Sequence, residues 1–348
     1  MRARVSLSLL ILLICAVLLP LYASAHEVYV LPQETIAEAL AADSPNPFTA
    51  YHGNERSFYF WGLVSFVVLS TILFVSVFGF MEERSASLLR FLKQFAHPLV
   101  RFSAGITLVV FGMYGALFGP ELQLNEIYGS ATLLVRILLI ALGVVMLLGI
   151  YTRTAAFLAI LVYVSAYFFS DWYALTYTSY LGAYLFLIAL GGGPWSLNLR
   201  MKARYMPDTL QSVVETLRPI AYPMLRVGFG LAIMLAAIYA KFWHSELAHQ
   251  VVIQYDLTRF FPFDPMFVVL GAFIIEFLAG LMMFLGVAVR WTALFLAFWL
   301  TMGHIFTVEA WWVHLILYGV ALAIFCHGYD RWSLEGRLLR RNGREPLF

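Results

Sequence analysis

Hydrophobic and polar positions fall into long blocks along this chain. Apolar runs occupy roughly 58–80, 101–119, 131–151, 154–170, 176–193, 224–243, 266–286, 291–308 and 311–328. Each has about the 17–25 residues that carry a helix across a hydrocarbon core. With no water to satisfy backbone groups there, helix is the form such runs take. The pattern predicts an all-α, polytopic transmembrane bundle with nine mature spans. The segment 26–57 is polar, contains prolines and has no usable periodicity, so it reads as a short tail outside the membrane.

Within this pattern one unit occurs twice. Residues 147–160 read LLGIYTRTAAFLAI and residues 284–297 read FLGVAVRWTALFLA, so Gly149 and Arg153 match Gly286 and Arg290. Upstream, PLVRFSAG at 98–105 matches PMLRVGFG at 223–230, pairing Arg101 with Arg226 and Gly105 with Gly230. A WSL triplet ends each copy, at 195–197 and 332–334. The front anchors are offset by 125 residues and the back anchors by 137, so the second copy carries about twelve extra residues, which fall in the loop 244–265. Four spans per copy is an even number. Both copies then enter the membrane from the same side, a parallel repeat with its pseudo-axis along the membrane normal.

The expected organisation is a signal peptide at 1–25, an N-terminal tail at 26–57 and an extra span with an amphipathic helix at 58–97. The first unit follows at 98–197, a linker at 198–222, the second unit at 223–334 and a basic tail at 335–348. Arg2 and Arg4, an apolar run and Ala23-Ser24-Ala25 give the signal-peptide reading, with an uncleaved anchor helix as its alternative. Cleavage would remove Cys15 and leave Cys326 alone, with no disulfide within the chain.

Composition agrees with the spans. Hydrophobic residues make up 62% and charged residues 12%, and mean hydropathy is +0.83. A soluble domain carries about 25% charged residues. The net charge of +2 lies in loops between apolar runs, so it indicates no nucleic-acid partner. Arg84, Arg90, Lys93, Arg153, Arg200, Lys202, Arg204, Arg218, Arg290, Arg331, Arg337, Arg340, Arg341 and Arg344 fall on one side of the predicted topology, against Arg56 and Arg259 on the other. That bias predicts an outside N-terminus and a cytoplasmic C-terminus in a bacterial-type inner membrane.

The R-x-x-x-G that opens a span and the L-G-x-x-x-R hairpin resemble the DoxX/DoxD family of four-helix membrane proteins. Pro98–Leu197 and Pro223–Leu334 each resemble one such unit. Arg101, Gly105, Gly149 and Arg153, and Arg226, Gly230, Gly286 and Arg290, are the residues that carry the resemblance. The family's namesakes are membrane subunits associated with thiosulfate:quinone oxidoreductase and quinol oxidase. The resemblance therefore implies quinone and other respiratory subunits as partners, beside membrane lipid.

Ionisable groups inside a membrane are functional candidates by default. Glu276 lies near the middle of its span, and the aligned residue of the first copy is Leu139. A carboxylate there could pass protons or bind a quinone hydroxyl. Arg136 lies inside the third mature span, placed either to pair with Glu276, to bind an anionic substrate, or to snorkel outward. Lys241 ends its span, where snorkelling is expected. His304 joins Glu276 as a candidate for proton or quinone handling, and His314 joins Arg136 and Lys241 as a candidate for substrate binding. His26, as the mature N-terminus, could chelate a metal such as copper through its amine and side chain, with His52 a third ligand, while His244 and His249, which follow a span of the second copy, belong to a separate cluster that could hold a metal or serve a proton-coupled quinone site. Water and lipid heads are the plainer partners for such interfacial imidazoles. Haem also stays open as a cofactor, without a C-x-x-C-H motif for covalent attachment. Arg101, Arg153, Arg226 and Arg290 read as structural charges near helix ends. The leading expectation is a redox-linked subunit that touches the quinone pool. The alternatives are a transporter or assembly factor without redox chemistry of its own, and a copper-handling protein.

Overall fold

The computed structural model describes residues 31–197, 208–307 and 311–339. The signal segment, His26, the linker residues 198–207, Glu309 and the chain from residue 340 lie outside them. Among the described residues the structure is helical, with a single isolated bridge between Ala116 and Gln123. The α-helices of eight or more residues are α1 (Gln33–Ala41), α2 (Glu55–Phe78), α3 (Ala86–Lys93), α4 (Ala96–Tyr114), α5 (Thr132–Leu148), α6 (Thr152–Ser170), α7 (Thr178–Leu190), α8 (Asp208–Leu217), α9 (Ala221–Ile238), α10 (Ser245–Gln254), α11 (Pro265–Leu285), α12 (Val289–Thr307) and α13 (Leu315–His327). Eight helical stretches are long and apolar enough to cross a membrane, and α13 is a shorter apolar helix. The chain is a multi-pass membrane protein whose helices contact lipid.

The ends of the spans are written in ordinary capping chemistry. Pro265 opens α11, where its missing N–H costs nothing, and Asp264 accepts from the backbone N–H of Met266 and Phe267 at 3.0 and 3.2 Å. Gly149 and Gly286 close α5 and α11 with φ of 70° and 74°, a region that only glycine enters freely. Two residues later Tyr151 and Ala288 both take φ of 45°. The two hairpins thus repeat residue by residue at the offset of 137.

Within the first copy α4 packs on α5, and within the second α9 packs on α11. Gly105 and Gly143 let the first pair approach: a Cβ at Gly105 would stand 3.1 Å from the carbonyl oxygen of Gly143. Gly230 and Gly280 do the same for the second, at 2.8 Å. Between copies α7 packs on α9 and α13 packs on α4. First and fourth helices of both copies thus form the centre, with second and third helices outside. At these crossings Gly182 faces Gly228 and, at the equivalent place, Gly319 faces Ser103.

The end of the bundle holding the Gly149 and Gly286 turns is called here the hairpin end. There α3 buries Leu89 and exposes Leu88 and Phe91, as expected for an amphipathic helix. Glu335, 2% exposed, accepts from the Ser76 hydroxyl and from the Val289 N–H, both at 2.8 Å. One carboxylate thereby caps α12 and ties the extra span α2 to the second copy.

The opposite, loop end corrects one expectation. Residues 31–54 do not form a featureless solvated tail. Helix α1 docks on α10, burying Leu31 and Ala39 against Leu247 and Val251. The 3-10 turn Pro47–Tyr51 lies on α11, with Ala50 against Phe267 and Leu270. The extra residues of the second copy build α10, the platform for this docking. Helix α1 is only nine residues long, too short for its period to emerge from a polar, proline-bearing stretch.

Candidate functional site

The second copy holds an ion pair inside its helical bundle. Lys241 Nζ lies 3.0 Å from Glu276 Oε2, with side chains 6% and 15% exposed. Trp299 Nε1 donates to the other carboxylate oxygen, Oε1, at 2.9 Å. Three helical segments supply these groups: the end of the α9 rod, the middle of α11 and the middle of α12. Helices α9 and α11 run antiparallel, and every Cα–Cβ bond leans toward its own helix N-terminus. Lys241 therefore leans inward and Glu276 leans toward the loop end, so the two side chains meet. Lys241 sits in a π-helical extension of α9, Tyr239–Trp243. Such turns are rare and recur at functional positions. At the aligned positions the first copy has Ala116 and Leu139, so neither member of the pair belongs to the shared scaffold.

Lys241 does not snorkel, and among the described residues Glu276 finds Lys241 and Trp299 rather than Arg136. Arg136 donates to the carbonyl oxygens of Gly112 and Met113 at 2.8 and 2.7 Å, in the last turn of α4. Trp299 is the member of the site that sequence reasoning missed. Its signal was faint: an indole N–H in mid-span needs an acceptor, and Glu276 is a carboxylate near the middle of the span that precedes it.

The motif arginines reach carbonyls at or just past helix ends. Arg101 donates to the carbonyls of Gly192, Pro194 and Trp195 at 2.5, 3.4 and 3.4 Å. Arg226 donates to those of Met283 and Phe284 at 2.8 and 2.5 Å, and pairs with Asp330 at 2.9 Å. Arg153 donates to Ile188 and Ala189 at 2.9 and 3.5 Å. Arg290 reaches the last carbonyls of α13, at Phe325, Cys326 and His327. Most of these carbonyls are in the final turns of α7, α11 and α13, where a cation offsets the helix dipole and satisfies orphan acceptors. Gly149 and Gly286 leave room for Arg101 and Arg226: a Cβ would stand 2.9 Å from Arg101 Nη1 or from Arg226 Cζ.

The four candidate histidines of the second copy are divided between two places. His304 and His314 meet edge to face, with ring centroids 4.8 Å apart, and Tyr318 follows at 6.0 Å from His304. His249 lies 3.3 Å from Glu246 on α10. His244 stands against Tyr239, centroids 4.7 Å apart. Among the described residues no three His, Cys, Asp or Glu side chains gather as a metal set. Burial holds the His244 imidazole below its ordinary value of 6.5. The folded state thus prefers the neutral ring, and this preference supports the fold above pH 6.5. It is lost as pH falls from 6.5 toward the depressed value. Protection of the α10 amides, corrected for intrinsic exchange, should therefore weaken below pH 6.5 in wild type and stay flatter in H244N. Hydrogen–deuterium exchange across that range measures it.

No protein-family model, curated protein or solved structure matches this chain.

Proposed function

We propose that this protein is a redox-linked subunit of the inner membrane, built from two DoxX-like units, that handles quinone and protons at Lys241, Glu276 and Trp299. The observation that carries this reading is the buried ion pair inside the second copy, absent from the first. A buried salt bridge is a poor source of stability beside an apolar filling of the same space, so its presence calls for another reason. The Glu276 carboxylate can accept a proton from a bound quinol hydroxyl and become a neutral acid, while the Lys241 ammonium offsets the charge of the quinolate left behind. Trp299 adds a flat apolar wall and holds the carboxylate. The repeated arginine-capped hairpins support the family part of the reading.

The transporter alternative is less well supported. Parallel repeats that transport place their site where the copies meet. Here that junction is closed by Gly182, Gly228, Ser103 and Gly319 in near-backbone contact, and the ion pair lies off the axis. The positive residues of the connecting segments support a cytoplasmic hairpin end: Arg84, Arg90, Lys93, Arg153, Arg218, Arg290, Arg331 and Arg337 stand there, against Arg56 and Arg259 at the loop end.

The test is photolabelling with an azido-quinone in lipid nanodiscs, with the labelled peptides read by mass spectrometry. Label competed by unmodified quinone should fall on α11 and α12 around Glu276 and Trp299. Label confined to other helices, or label that quinone does not compete, would rule the reading out.

A further inference from the structure

At the loop end a segment from outside the repeat docks on residues that flank the polar pair along α11 and beyond α9. Phe48 of the Pro47–Tyr51 turn stands edge-on to Phe242 and Phe273, with centroids 6.2 and 6.0 Å away. Phe242 and Phe273 stack on each other at 5.6 Å, and Phe273 stacks on Phe277 at 5.7 Å. The Ser245 hydroxyl donates to the carbonyl of Pro45. These contacts fall at telling positions. Phe273 precedes Glu276 by three residues on α11, so it lies on the same face, one turn nearer the loop end. Ser245 follows Lys241 by four residues and leads into α10. The 45–51 segment thus grips residues that lie about one turn from the ion pair on the loop-end side.

This explains why Lys241 is 5% exposed near the end of its span. A lysine there ordinarily sends its amine along the helix into water. The first copy has Leu117 and Arg136 where the second has Phe242 and Phe273, and Arg136 is spent on capping α4. The ion pair and the added α10 belong to the second copy, and the 45–51 segment docks on that copy.

We propose that residues 45–51 form a gate, with Phe48 as its plug, that admits water and protons from the loop-end face to Lys241 and Glu276. It rests on the ion pair being the functional centre and gives that centre a second entrance, separate from the lipid side by which a quinone would arrive. Tyr239, His244, Glu246 and His249 are the titratable groups within eight residues of Lys241 along the chain. The gate is a few contacts deep: one hydroxyl-to-carbonyl bond, one edge-on aromatic cluster and the Ala50 contact.

Only Lys93, Lys202 and Lys241 are lysines in this chain, which makes amine labelling residue-specific. Reductive dimethylation with formaldehyde and cyanoborohydride, on the full protein in nanodiscs, is followed by mass spectrometry at each lysine. Wild-type Lys241 should react slowly. F48A should raise its rate at least tenfold while Lys93, at the far end, keeps its rate, and S245A should raise it by a smaller factor. Unchanged Lys241 rates in both variants would overturn the gate. Equal acceleration at Lys241 and Lys93 in both variants would also overturn it, because the bundle would then be loosening as a whole. The readout is access of a small reagent, so it stands or falls apart from quinone binding.

Discussion

Replacing Lys241 by methionine, with Glu276 kept, is expected to cost about 3–5 kcal/mol of stability, the usual result of stranding one member of a buried pair. E276L alone should be similarly harmful, because an ammonium 6% exposed would lose its partner. The double variant K241M/E276L should recover most of that loss and come within about 1 kcal/mol of wild type, or exceed it. The coupling energy from this cycle should be of the order of the single losses. Reversible unfolding in mixed detergent micelles measures all four species. Two single losses that simply add in the double variant would mean that the pair does not exist as drawn. Trp299 supplies a weaker control: W299F removes one charge-assisted hydrogen bond, worth about 1.5–3 kcal/mol, while keeping the ring.

The second large effect concerns the contact between the copies. A Cβ at Gly182 would stand 2.9 Å from the carbonyl oxygen of Met224 and 3.2 Å from Gly228 Cα. Both obstacles are backbone, so α7 and α9 must move apart. G182A is expected to cost about 1–3 kcal/mol, the range for overpacking a filled interior. At the equivalent crossing, a Cβ on Gly319 runs into the Ser103 side chain. G319A should be comparably harmful alone, yet largely rescued by S103G, which clears that space. No side-chain change on α9 should rescue G182A. The same unfolding assay checks both. Rescue that fails for G319A, or a harmless G182A, would contradict the paired α7–α9 and α13–α4 crossings.

Much of this architecture was legible because a membrane restricts the choices. Apolar runs of spanning length could become little except helices, and the repeat gave the relation between copies before any coordinate. Gly149 and Gly286, read as the ends of spans, do close α5 and α11 at positive φ. The arginines beside them were legible as structural charges near helix ends, although which carbonyls they cap depends on the crossing of helices. Partnership of Glu276 was not legible. From the sequence Arg136 is the partner expected for a carboxylate in mid-span, and Lys241, at the end of its span, is expected to snorkel. The choice is made by the π turn at Tyr239–Trp243 and by the opposed lean of side chains on antiparallel helices. The docking of residues 31–54 was hidden for another reason. Its contacts are single residues, Phe48 and Ala50 among them, that meet distant surfaces and leave no periodic trace.

Chain energetics and function separate cleanly at one variant. K241M/E276L should fold as well as wild type while lacking the polar centre. The decisive measurement is equilibrium binding of a short-chain quinone to wild type and to this double variant in nanodiscs of the same lipid. Saturable binding to wild type, with affinity at least tenfold weaker in the folded double variant, is the predicted result. Equal affinity in the two proteins would contradict the assignment of the quinone site to Lys241 and Glu276.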